Sequence, residues 1–133
     1  MVSHLPFKWS IRIYFEDTDS GGVVYHSNYL KFMERARTEW LRSLHLNQAD
    51  LKKKDKIMFV VANVNIDYKK AARFNDELDI ETSLDKIGAS RIDLTQNIMK
   101  NSELYTSAKV SIACIDSETF KPQRIPKLIK QQM

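Results

Sequence analysis

The stretch Tyr14-Phe15-Glu16-Asp17-Thr18-Asp19-Ser20-Gly21-Gly22-Val23-Val24-Tyr25-His26 concentrates residue types that do chemistry. Three acids fall within four residues, two glycines then let the backbone turn tightly, and a helical pattern starts just beyond. A helix N-terminus offers backbone N–H groups without intrahelical partners and the positive end of the helix dipole. Such donors polarise a carbonyl and stabilise the oxyanion that develops under attack. A carboxylate held nearby activates water or attacks directly. Acid plus helix N-terminus is thus a workable arrangement for acyl transfer. Two plainer readings stand beside it. Acids ahead of a helix serve as caps and dipole partners. Asp17-Thr18-Asp19 also offers hard oxygen ligands to a divalent metal, although no second acidic cluster accompanies it.

The elements that must position this stretch follow from hydrophobic periodicity. Trp9, Ile11, Ile13 and Phe15 alternate with Ser10, Arg12 and Tyr14, which predicts a half-buried strand over 9–15. From about Asn28 to Leu46, the residues Tyr29, Phe32, Met33, Ala36, Trp40 and Leu44 share one helical face, with Ser27 or Asn28 as N-cap and Arg35 and Glu39 spaced as an exposed ion pair. Gln48–Lys56 is polar and lysine-rich, a short helix or connection. Three further runs and one long one alternate with period two: Met58 to Tyr68 on the even positions, Leu78 to Leu84, Ile92 to Ile98, and Leu104 to Cys114. The order is one strand, a long helix and four strands, with consecutive strands expected to pair antiparallel. One helix covers one face, so the expected architecture is α+β, a strongly curved sheet wrapped around one apolar helix. An edge strand is left open, and a second subunit is a natural way to cover it.

The 133 residues make one domain, 1–133, without a linker or repeat. One cysteine, Cys114, excludes an intrachain disulfide and a cysteine-based zinc cluster. Apolar runs such as Phe59–Ala62 are far below a membrane span, and the first residues lack the pattern of a signal peptide, so the expectation is a cytoplasmic protein. The net charge of +4 admits an anionic ligand, a nucleic acid or an anionic membrane surface without choosing among them. After Glu118 the chain carries Lys121, Arg124, Lys127 and Lys130 and no acid, as a solvated tail would.

The segment Tyr14–Arg42, with Asp17-Thr18-Asp19, Gly21-Gly22-Val23-Val24-Tyr25-His26, Asn28-Tyr29 and Glu34-Arg35-Ala36-Arg37 at one fixed spacing, closely resembles the signature of the 4-hydroxybenzoyl-CoA thioesterase family, in the branch found with the Tol–Pal envelope system. The resemblance implies the hotdog fold: a long central helix wrapped by a curved five-stranded antiparallel sheet, assembled as a homodimer or a dimer of dimers. It implies an acyl-CoA thioesterase that needs neither metal nor organic cofactor. The catalytic carboxylate then falls on Asp19, as general base or nucleophile, while Asp17 orders the loop. The helix-start N–H near His26 faces the thioester carbonyl, with the His26 side chain assisting, and Tyr25 lines the acyl pocket. In related enzymes coenzyme A lies along the subunit interface near the start of the fourth strand, which here holds Ser90 and Arg91. Lys69, Lys70 and Arg73 are further candidates for its phosphates.

Other residues carry less. Glu34 lies two helical turns after His26, where an internal ion pair with an arginine is the plainer role. Cys114 on an apolar strand face is a small hydrophobe, and His4 and His45 have no neighbours that suggest a task. No glycine-rich phosphate loop exists. The cations lack the interleaved exposed aromatics that nucleic-acid bases would stack on. The rival readings are a hotdog dehydratase and, in another class, a non-catalytic binder of acyl-CoA or acyl carrier protein in phospholipid metabolism, working near a membrane surface. Thiol release from acyl-CoAs separates the binder from the enzyme.

Overall fold

The computed structural model describes residues 5–133, and His4 lies outside them. The chain runs β1 (Phe7–Arg12), α1 (Asn28–Ser43), α2 (Gln48–Asp50), a π-type turn (Leu51–Asp55), β2 (Ile57–Tyr68), β3 (Glu77–Ile87), β4 (Arg91–Lys100), β5 (Glu103–Asp116) and α3 (Lys127–Gln132). The strands form one sheet in the order β1-β3-β4-β5-β2, antiparallel throughout. β3, β4 and β5 are hairpin neighbours as expected. β2 instead pairs with β5, because residues 69–76 carry the chain across to the far side of the sheet.

One face of the sheet and one face of α1 make the core. Leu78 and Ile80, Ile92, Leu94 and Ile98, and Ala108, Val110, Ile112 and Cys114 are buried on the period that the sequence shows. Tyr29, Phe32, Met33, Ala36 and Trp40 are buried from the helix side. Gln96 is buried among them and fully used: its amide donates to the Met33 carbonyl and to Thr82 Oγ1, both at 3.0 Å, and its oxygen accepts from Arg37 Nη1 at 2.9 Å. A buried polar group needs such partners, and these fix α1 on β3 and β4.

Several expectations are corrected. β1 stops at Arg12, and a 3-10 turn over Phe15–Asp17 leaves Phe15 exposed rather than in line with Ile13. In β2 the register shifts between Val61 and Asn63, where Ala62 is the extra residue of a bulge. The inward face therefore changes parity: Phe59 before the bulge, Val64 and Ile66 after it. α1 ends at Ser43, not Leu46, because His45 is left-handed with φ 63° and the Leu46 amide turns back to the Leu41 carbonyl. Ser27 is the N-cap residue without a side-chain bond, and Glu39 pairs with Arg42 instead of Arg35. The basic C-terminal stretch docks, with Ile125 and Ile129 buried and the Ile125 amide bonded to the Ala89 carbonyl.

The 69–76 connection is anchored by Asp76, whose carboxylate accepts from Lys100 Nζ at 3.0 Å and from the Arg73 amide at 2.9 Å. Partial desolvation pushes the Asp76 carboxyl up, but the Arg73 amide and the Lys100 ammonium outweigh it and hold the group below its ordinary range. A depressed folded-state value means stability that is present above the unfolded value of about 3.9 and lost as pH falls through the folded one. Lys100→Met should therefore lower the melting temperature at pH 7, and the gap to wild type should close as the pH falls below about 4. A gap that stayed constant across that range would show that Lys100 acts by packing alone.

Candidate active site

The acidic stretch folds into a tight hairpin that delivers the chain from β1 to α1. The Asp19 amide donates to the Val23 carbonyl, Thr18 bridges Val24, and the Tyr25 amide donates to the Asp17 carbonyl. Gly22 makes the turn possible with φ +79°. Gly21 leaves room for the acid: its N–H donates to Asp19 Oδ1 at 2.8 Å, and a Cβ there would sit 3.2 Å from that oxygen. Asp19 is thus held by one oxygen at an exposed loop tip, and its second oxygen makes no hydrogen bond among the described residues.

Asp17 is tied down on both oxygens. Oδ2 accepts from the Tyr14 amide at 2.9 Å and Oδ1 from Asn28 Nδ2 at 3.2 Å. Asn28, expected as a possible cap, instead fastens the first residue of α1 to the loop. The hairpin is also stitched to the β2–β3 connection, since the Val24 amide donates to the Ala72 carbonyl and Val23 bridges Arg73.

His26 follows at the helix start. Its amide and that of Ser27 make no hydrogen bond among the described residues, whereas Asn28, Tyr29 and Leu30 already bond back to residues 25–27. The two amides are therefore free donors at the positive end of α1. The His26 ring lies 4.7 Å from the Tyr25 ring and 6.3 Å, edge to face, from the Tyr68 ring. A cleft of about 210 Å³ opens here, lined by Val24, His26, Tyr29, Tyr68, Lys69 and Lys70. Tyr25 is half exposed and stands outside that lining. Tyr29 is nearly covered; its oxygen accepts from the Ala72 amide at 2.9 Å, and burial pushes its phenol up, so it stays protonated. Lys70 pairs with Glu103 and Lys69 with Asp67.

The remaining candidates lie elsewhere in the chain. Ser90 sits in the β3–β4 turn, where its carbonyl accepts from the Cys114 amide, and Arg91 opens β4. Arg91 pairs with Ala113, which pairs with Val60, eight residues from Tyr68 along β2. At 3.3 Å per residue they are about 25 Å from the cleft along the sheet. Near that far end a second, apolar cavity of about 230 Å³ is lined by Leu51, Ile57, Met58 and Phe59. Glu34 is exposed and forms no ion pair with an arginine among the described residues. Burial pushes the Cys114 thiol up to about 11, which leaves it protonated and unreactive near neutrality. Sequence reasoning missed Tyr29 and Tyr68 as cleft residues because an alternating or helical period marks a face and not a neighbour.

Comparison with known proteins bears on the family and the fold. Residues 13–133 match the family described as the thioesterase-like superfamily. The acyl-CoA thioesterase YbgC of Haemophilus influenzae is 43% identical over 124 residues, 93% of this chain and 91% of that protein. The acyl-CoA thioester hydrolase YbgC of Escherichia coli is 40% identical over 124 residues, 92% of each. A solved structure of a probable thioesterase from Bartonella henselae superimposes with a TM-score of 0.86 at 35% identity, covering 91% of this chain and 99% of that one. With its acidic hairpin feeding a buried helix inside a five-stranded antiparallel sheet, the chain has the hotdog fold and belongs to the thioesterase-like superfamily.

Proposed function

We propose that the chain hydrolyses acyl-CoA to a carboxylic acid and coenzyme A, with Asp19 as general base or nucleophile. The observation that carries this reading is the Gly21-Gly22 hairpin, whose acidic stretch is fastened to the start of α1: the Tyr25 amide donates to the Asp17 carbonyl and Asn28 Nδ2 donates to Asp17 Oδ1, on either side of the unpartnered amides of His26 and Ser27 in sequence. In one route Asp19 takes a proton from water as the water oxygen attacks the thioester carbonyl, the amides at His26 and Ser27 hold the oxyanion, and the C–S bond breaks with the thiolate taking up a proton. In the other, the Asp19 carboxylate attacks, expels the thiolate and leaves a mixed anhydride that water hydrolyses. Heavy-oxygen water separates the two when label enters the enzyme, because only the anhydride route, with water attacking the Asp19 carbonyl, can leave label in the Asp19 carboxylate on the first turnover. Asp17 orders the loop and His26 orients the water or Asp19.

The cleft alone is small for such a ligand, since drug-sized ligands occupy about 300–1,000 Å³. β2 is a twelve-residue sheet edge with Val61, Ala62 and Asn63 exposed, the kind of edge that another strand covers. Antiparallel pairing of two β2 strands about a two-fold axis sets Tyr68 opposite the start of the partner's β2. That brings the second subunit's Arg91, Ser90 and apolar cavity toward this cleft. The reading is therefore a homodimer or dimer of dimers, with the cavity taking part of the acyl chain and Arg91 meeting coenzyme A phosphates. Tyr25, half exposed in one chain, lines the acyl pocket in this assembly. The finer assignment to the 4-hydroxybenzoyl-CoA family and its Tol–Pal-associated branch, a cytoplasmic location and contact with acyl carrier protein or a membrane surface rest on the sequence resemblance. No helix among the described residues is long and apolar enough to cross a membrane.

Asp19→Asn should lower kcat for thiol release by about 10²–10⁴-fold while ligand-induced melting shifts persist, and Asp17→Asn should be milder. The reverse order would exchange the two roles. If wild type bound acyl-CoAs but released no thiol from any of a panel, the chain would be a binder. Arg91→Ala should mainly raise KM, because a remote ionic contact is made equally in ground and transition states. The effect should fade with salt, as screening acts over ~8 Å at physiological ionic strength. Light scattering at micromolar concentration should give at least twice the chain mass, and a monomer would remove the basis for the shared site.

A further inference from the structure

Tyr68 is the last residue of the edge strand β2, and it reaches the helix start from a strand 42 positions further along the chain. Its hydroxyl donates to the His26 carbonyl at 3.1 Å. Its ring packs edge to face on His26 at 6.3 Å and against Tyr29 at 5.5 Å, and Tyr29 is itself fixed by the Ala72 amide. The His26 carbonyl also accepts the Tyr29 amide, at a long 3.3 Å. Tyr68 therefore supplies the shorter of two hydrogen bonds to the peptide that joins His26 to Ser27. That peptide carries the Ser27 N–H, one of the two helix-start amides without a hydrogen-bond partner among the described residues, and points it away from the carbonyl that Tyr68 holds. A donor on the carbonyl side of a peptide shifts electron density toward oxygen and makes the N–H on the other side a stronger donor.

We propose that Tyr68 is a positioning residue: its hydroxyl polarises and orients the His26–Ser27 peptide, so that the Ser27 N–H is a sharper oxyanion donor, while its ring fixes the plane of the His26 imidazole. The proposal rests on the thioesterase reading of the site. It also gives the edge strand a role in the chemistry.

The test uses Tyr68→Phe, which keeps the ring and removes the hydroxyl, and Tyr68→Leu, which removes both. Single oxyanion donors contribute about 10²–10³-fold, and weakening one donor without deleting it is expected to lower kcat about tenfold, with KM and melting temperature near wild type. Tyr68→Leu should lower kcat further. In the ligand-free protein, Tyr68→Phe should move the Ser27 amide proton upfield in nitrogen–proton NMR spectra, a readout independent of turnover. An unchanged kcat, a loss confined to KM, or a kcat loss that tracks the fall in melting temperature across both variants would overturn the proposal. So would an unmoved Ser27 amide. If wild type released no thiol from acyl-CoAs, the thioesterase reading would fail, and the amide shift would still decide whether Tyr68 polarises the peptide.

Discussion

Burial of one face of α1 is the constraint on which everything else in this chain depends. Tyr29, Phe32, Met33, Ala36 and Trp40 must leave water together, and each large apolar side chain contributes about 1.5–3 kcal/mol when buried. No other helix among the described residues is long enough to cover them, so a sheet of five strands has to supply the opposing surface. The bulges in β2 and β3 bend that surface. Gln96, with all its bonds made inside the core, ties the helix to a single position on β3 and β4.

The candidate site is a by-product of how the chain enters that helix. It arrives from an edge strand and must turn sharply, and the turn is made by Gly21 and Gly22. Asp17 holds both ends, accepting from Tyr14 on the strand side and from Asn28 on the helix side. Among the described residues, the same geometry leaves one Asp19 oxygen and two amides at the helix start without hydrogen-bond partners. Groups that complete secondary structure elsewhere are here left available, and helix-start donors of this kind are what an oxyanion in acyl transfer uses.

The two sheet edges have different characters. β1 is short, six residues paired on one side to β3. β2 is twice as long and presents exposed residues at its middle. The cleft lies at one end of β2 and an apolar cavity near the other. A two-fold pairing of this edge brings opposite ends together, which is why the proposed site is read as shared between subunits.

The amino-acid sequence by itself determined the elements. Alternation marked the faces of β3, β4 and β5, the 3.6-residue period marked the buried face of α1, and the acids and glycines marked the loop where the proposed chemistry sits. The family signature in 14–42 was legible for the same reason, being local and fixed in spacing. Tertiary structure alone decided which strands are neighbours. β2 crosses to the far edge, Ala62 flips its inward face, Phe15 swings out, and Tyr68 meets His26 across 42 residues. A period reports which side of an element is apolar, but it carries no record of what lies opposite. That is set by pairing between residues far apart in sequence, where burial and hydrogen bonding over the whole sheet outweigh any local preference.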